Sequence, residues 1–213
     1  MPRLSAKQTR ALKAVEILKA IYPDATCTLE AKNAFELLVA VRLSAQCTDA
    51  RVDKVTPALF AAFPDAKSMA SADVAEIEQL IHSCGLYKTK ARDLKAMAAM
   101  LEDHYNGEIP QTIEELTKLP GVGRKTANLV CGDVFGVPGV VVADTHCIRI
   151  ANRLKLCNST DPKKVEMQLR ALLPPDESGA FCHRVVRFGR DTCIARSPQC
   201  SICPLGDICP SKA

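Results

Sequence analysis

The chain has 213 residues, enough to bury a real core as one domain or as two small ones. Hydrophobic residues make up 47% and charged residues 24%, the balance of an ordinary globular protein. The net charge of +4 excludes a surface that binds anions by bulk charge, so an anionic partner must be held by locally arranged groups. Trp is absent and aromatics reach only 4%, which argues against a platform that stacks successive single-strand bases on rings.

In chain order, Leu4 to Tyr22 presents Ala11, Val15, Leu18 and Tyr22 as one helical stripe and stops at Pro23. Asn33 caps the next helix, with Glu36 three residues on, and its interior from Phe35 to Leu43 is apolar nearly all round, as in a buried central helix. That helix leaves through the polar Ser44-Ala45-Gln46. Thr48 and Asp49 begin another, which Thr56-Pro57 restarts and Pro64 closes. Ser71 opens a helix carrying Val74, Ile77, Leu80 and Ile81, ended by Gly85 in the turn Cys84-Gly85-Leu86-Tyr87-Lys88. The following helix sets Ala91, Leu94, Ala98, Leu101 and Tyr105 on one face and stops at Asn106-Gly107.

Thr112-Ile113-Glu114-Glu115 reads as a capping box that starts a short helix, and Pro120 stops it. Gly121 and Gly123 then open the backbone ahead of a helix that runs to about Phe135, so that a phosphate can approach amides at a positive helix end. Gly139 to Ala143 has strand composition but no partner, and is read as an extended connector. Asp144 caps a helix from Thr145 to Leu156, and Asp161-Pro162 starts one with Val165, Leu169 and Leu172 inward. After Pro174-Pro175 a last helix carries Phe181, Val185 and Phe188. The pattern is all-α, without internal repeats.

Seven of the eleven cysteines (Cys27, Cys47, Cys84, Cys131, Cys147, Cys157, Cys182) lie in apolar helical stretches, where buried thiols are common. The total is odd, Met1 to Arg10 is polar and basic, and the apolar run near residues 134–143 is too short and broken to span a membrane. These features predict a soluble protein of a reducing compartment, cytoplasm or nucleoid. The other four form Cys193-x6-Cys200-x2-Cys203-x5-Cys209, a proline-rich segment that cannot build its own core and needs a thiolate-bound metal centre. Zinc and an iron–sulfur cluster both suit four thiolates, although zinc sites usually pair their cysteines closely twice and here only the middle pair is close.

Leu119-Pro120-Gly121-Val122-Gly123-Arg124-Lys125-Thr126-Ala127 resembles the helix-hairpin-helix of the endonuclease III family of DNA base-excision glycosylases, and the 6-2-5 cysteine spacing matches that family's [4Fe–4S] cluster. The resemblance runs from the first helix to Cys209. It implies a two-domain all-α fold: a six-helix domain over residues 27–137 carrying the hairpin, and a cluster domain of residues 1–26 with 138–213, the DNA groove lying between them. It further implies a structural [4Fe–4S] cluster on Cys193, Cys200, Cys203 and Cys209, and a monomer whose partner is double-stranded DNA with damaged bases or abasic sites.

The implied reaction excises an oxidised pyrimidine, turned out of the duplex, and then cleaves 3′ to the bared sugar by β-elimination. Lys125 would attack C1′ and form the Schiff base, while Asp144 would stabilise positive charge on the sugar and accept a proton from the amine. Gln46 and Leu86 map onto the residues that fill the space left by the flipped base. Gly121, Val122, Gly123 and Arg124 belong to the phosphate-gripping turn, and Arg149, Arg153, Arg190 and Arg196 are candidate phosphate contacts. His146 is placed to organise the surroundings of Asp144. Related adenine glycosylases carry a catalytic Glu on the central helix; Leu38 to Leu43 holds no carboxylate and Lys125 is present, which excludes that branch. A mismatch thymine or uracil glycosylase, a non-catalytic hairpin DNA-binding protein and an iron–sulfur redox sensor are the alternatives.

Overall fold

The computed structural model describes residues 4–212, whose regular elements are all helices, with no β-strand among them. Contacts divide the chain into two compact units, Cys27–Phe135 and Met1–Thr26 with Gly136–Ala213.

The first unit is built around α2 (Ala34–Ser44). Asn33 starts it by accepting the Glu36 N–H at 2.9 Å, and Leu38, Val39, Ala40 and Leu43 are wholly removed from solvent. A Leu or Val buried in this way contributes about 1.5–3 kcal/mol, which is why a helix apolar on nearly every side is stable only at a centre. Around it pack α3 (Asp49–Ala62), α6 (Tyr87–Tyr105) and α8 (Arg124–Asp133). The predicted restart at Pro57 does not occur, and α3 runs through the proline. Val52, Val55, Thr56 and Leu59 are buried on both sides of it, and that continuous stripe outweighs the roughly 3 kcal/mol cost of an interior proline.

Two short helices, α4 (Ala66–Ser71) and α5 (Val74–Leu80), pack on α6. Ser71 closes α4 where the sequence placed a helix start; the caps are Asp65, which forms a capping box with Ser68, and Asp73. A four-residue helix, α7 (Ile113–Leu116), completes the unit against α8.

The second unit joins α1 (Ala6–Ile21) to α9 (Thr145–Arg153), α10 (Pro162–Arg170) and α11 (Ser178–Asp191). Ser5 and Gln8 form a capping box at α1, and Asp161 with Pro162 opens α10. Leu173 is buried beside Val165 and Leu169, in place of the half-buried Leu172. Val140–Ala143 is an extended, fully buried connector, and the Val142 amide is satisfied by Cys182 Sγ at 3.3 Å. Glu177 ties α1 to α11 by accepting from Lys19 and from Arg184, the latter at 2.6 Å. Beyond α11 the chain continues in two 3-10 turns, Cys200–Ile202 and Gly206–Ile208. No helix among the described residues is long and apolar enough to cross a membrane.

Candidate active site and cluster loop

The hairpin turn joins α7 to α8. Thr112 Oγ1 accepts the Glu115 N–H at 3.2 Å, but only this half of the predicted capping box forms, because the Glu115 carboxylate is taken by the Tyr105 hydroxyl and the Lys118 ammonium, both at 2.6 Å. Within the turn the Val122 N–H donates to Leu119 O at 3.1 Å, and the Val122 side chain is buried as the anchor. Gly121 has φ +74°, and a β-carbon there would stand 2.5 Å from Arg42 Nε. Arg42 and Asp93 form an ion pair under this turn, with Arg42 Nε donating to Asp93 Oδ2 at 3.1 Å. The fold therefore requires glycine at 121.

Gly123 is different. It caps α8 with extended backbone (φ −89°, ψ 171°), offers no side-chain acceptor, and a β-carbon on it would meet nothing within 4 Å. Neither torsion nor packing demands glycine here, and the open space lies at the positive end of a helix, where a phosphate is favoured. Arg124 and Lys125 stand in the first turn that follows, Lys125 exposed and Arg124 half-buried.

Asp144 belongs to the other unit and caps α9. Its Oδ1 accepts the Cys147 N–H at 2.7 Å, and its own N–H donates to Val142 O at 3.0 Å, so the buried connector and the helix start fix it from both sides. One turn on, Arg149 Nη2 lies 3.2 Å from His146 Nδ1.

Gln46 and Leu86 are both exposed, Leu86 at 61%, and both have left-handed backbone, with φ of 53° and 59°. Leu86 is among the few large apolar side chains that the core leaves out. The two loops are neighbours, since a β-carbon on Gly85 would stand 3.2 Å from the Gln46 carbonyl oxygen. Beneath them Lys90 is wholly buried and donates to Leu43 O at 2.7 Å, a cation at the negative end of α2; burial pushes its pKa below the usual lysine value.

The four cysteines of the 193–209 segment form no disulfide, and each is half-buried. Burial raises the Cys203 pKa, and the neighbouring Cys193, Cys209 and Cys200 raise it further, so the four thiols share one locality. Arg153 clamps the start of the loop: Nη1 donates to Ile194 O at 3.0 Å and to Cys193 Sγ at 3.1 Å, and Nη2 to Ala195 O at 2.7 Å. Arg149 Nη2 donates to Gly189 O and Cys193 O, each at 3.1 Å. Gly189 leaves room for this, because a β-carbon there would be 2.6 Å from His146 Nδ1. Arg149 and Arg153, candidate phosphate contacts by sequence, are thus committed to the loop, whereas Arg196 and Arg190 are exposed.

Among the described residues no three His, Cys, Asp or Glu side chains converge as a single bound ion requires. Four cysteine thiols in one locality, with Cys193 Sγ accepting an Arg153 N–H, are a donor set that suits a thiolate-held iron–sulfur cube.

The family model for the HhH-GPD superfamily base excision DNA repair protein matches residues 39–175, and that for the iron–sulfur binding domain of endonuclease III matches residues 193–209. Endonuclease III of Synechocystis sp. is 45% identical over 98% of this chain and 95% of its own length. That of Bacillus subtilis is 44% identical over 89% of this chain and 86% of its own. The solved structure of a trapped endonuclease III–DNA covalent intermediate superposes with TM-score 0.89 at 45% identity, covering 99% of this chain and 98% of that one. A thermostable thymine-DNA glycosylase has the same fold, with TM-score 0.88 at 21% identity over 98% of this chain and 99% of that one.

A helix-hairpin-helix unit joined to a four-thiol loop defines a base-excision repair enzyme, and within that superfamily the chain belongs to the endonuclease III family. It is a DNA glycosylase with abasic-site lyase activity, and its C-terminal loop is the site of a [4Fe–4S] cluster.

Proposed function

We propose that the enzyme excises oxidised pyrimidines from duplex DNA and cleaves the strand 3′ to the lesion, with Lys125 as nucleophile. The observation that carries this reading is the helix start at Gly123: open space where the fold has no need of glycine, followed by an exposed lysine. A relative 45% identical to this chain has been trapped as a covalent intermediate with DNA, which supports a covalent route.

The neutral Lys125 Nζ attacks C1′ of the extrahelical nucleotide; the N–C1′ bond forms as the C1′–base bond breaks, and the base leaves with its electron pair. Opening of the sugar ring yields the Schiff base. Loss of a C2′ proton then expels the 3′ phosphate, and water releases the enzyme. Asp144 supplies a carboxylate for the positive charge that grows on the sugar, and accepts the proton that the attacking amine must shed. Its cap bond to Cys147 uses Oδ1 and holds the side chain in one orientation for that task. His146, through Arg149, secures the start of α9 to the cluster loop, and so acts on Asp144 by positioning.

Gly121, Val122, Gly123 and Arg124 grip a phosphate, Arg196 contacts another, and Gln46 with Leu86 fills the space of the flipped base. When bound by Cys193, Cys200, Cys203 and Cys209, the cluster supplies a structural cross-link to a loop without a core of its own. We read Cys27–Phe135 as the hairpin domain and the rest as the cluster domain, acting as a monomer. The test is a panel of duplexes with single lesions given to wild type and to Lys125→Ala. Wild type nicks thymine-glycol duplex, and the variant binds it without nicking. Nicking by the variant would overturn the role of Lys125, and activity confined to G·T or G·U mismatches would overturn the lesion class.

A further inference from the structure

Two thiols stand at the roots of the Gln46 and Leu86 loops. Cys47 follows Gln46, and Cys84 precedes Leu86 by two residues. The close approach of Gly85 to the Gln46 carbonyl makes these backbones neighbours and brings the Cys47 and Cys84 side chains within interacting reach of each other. Both are free thiols, Cys47 half-buried and Cys84 only 1% exposed. The buried Lys90, which donates to Leu43 O, lies within electrostatic reach of both thiols. No step of the repair reaction uses this pair.

We propose that Cys47 and Cys84 form an oxidisable dithiol, a modification site for small disulfides of the glutathione class that locks the two loops together. Cys47, the more exposed, loses its proton and attacks one sulfur of the small disulfide. That S–S bond breaks, one thiolate leaves, and Cys47 carries a mixed disulfide. Cys84 then loses its proton, attacks Cys47 Sγ and displaces the second thiolate. Two protein thiols become one disulfide, one small disulfide becomes two thiols, and the two protons pass to the leaving groups. Burial pushes the Cys84 pKa up to about 11, which fits it to the second step, made intramolecular, and not to the first.

The bond draws the two sulfurs to about 2.05 Å. The two loops run side by side at Gly85 and the Gln46 carbonyl, so the movement is passed to the flanking exposed residues, Gln46 and Leu86. The oxidised protein therefore grips a duplex less well. This consequence rests on the filling role of those two residues, while the cross-link itself does not. Cys147 and Cys182 are a second pair of neighbouring thiols but are 1% and 2% exposed, and serve as an internal control that stays reduced.

The experiment treats the cluster-loaded protein with oxidised glutathione, alkylates it, and maps unreduced peptides by mass spectrometry alongside affinity for a duplex carrying an abasic-site analogue. The expected result is a Cys47–Cys84 peptide pair, absent in Cys47→Ser and in Cys84→Ser, with glutathione retained on Cys47 in the latter. Affinity falls by about threefold or more on oxidation and recovers with dithiothreitol, and neither serine variant shows the change. A stable Cys47–glutathione adduct in wild type, or no adduct at all, would overturn the dithiol, and a cross-link without loss of affinity would overturn the coupling of that bond to DNA binding. Leu86→Ala separates the two ideas: normal excision by that variant removes the filling role, and a missing cross-link removes the dithiol.

Discussion

A β-carbon at Gly121 would meet Arg42 Nε at 2.5 Å on backbone at φ +74°, whereas one at Gly123 would meet nothing. Gly121→Ala should therefore lower stability by about 2 kcal/mol or more, from left-handed strain and the displaced Arg42–Asp93 pair. Gly123→Ala should leave stability within about 0.5 kcal/mol but weaken binding to an abasic duplex by about tenfold, since its methyl occupies the approach of the phosphate. Thermal melts paired with anisotropy titrations check both; a Gly123→Ala protein that binds normally would mean that no phosphate comes there. Both glycines could be read in the sequence as turn residues, but which one serves the fold could not. That distinction depends on Arg42 and Asp93, 51 positions apart, coming together under the turn. Lys90 was equally out of reach: a lysine inside an apolar stripe was the signal, and its partner is a main-chain oxygen of α2.

At the scale of elements, Glu177 holds α1 to α11. Hydrogen bonds from Lys19 and then Arg184 depress its pKa below the usual carboxylate value. A folded pKa below the unfolded one, about 4.3, gives stability that is present above that pH and lost as pH falls through the folded value. Glu177→Gln should flatten this acid limb and, by leaving the buried Arg184 short of its anion, cost about 1.5–3 kcal/mol at neutral pH. Urea melts from pH 3 to 7 check this, and parallel acid limbs for the two proteins would contradict it.

The cluster loop yields a second prediction at this scale. Removing the iron should expose residues 193–209 to protease while fragments of Cys27–Phe135 persist, because the loop's own fastenings are chiefly Arg153, Arg149 and two short turns. Equal digestion of the two units would argue against a local role. The cysteine spacing was legible as a metal centre, but the arginine clamp was not, since Arg153 and Cys193 are 40 residues apart and an arginine near a DNA-binding motif reads as a phosphate ligand.

For the molecule as a whole, the helical pattern was legible because its stripes and caps are local: Asn33, Thr112, Asp144 and Asp161 each cap the helix expected of them. Where the reading slipped, at Pro57 and at Ser71, burial or a neighbouring aspartate outweighed a local punctuation signal. The proposed chemistry comes down to one bond, between Lys125 Nζ and a deoxyribose carbon, and borohydride reduction makes that bond permanent. The cluster-loaded enzyme, mixed with abasic duplex and sodium borohydride, should give a protein–DNA adduct that maps to Lys125 and disappears in Lys125→Ala. An adduct of undiminished yield in that variant, or one mapped to any other amine, would contradict the account.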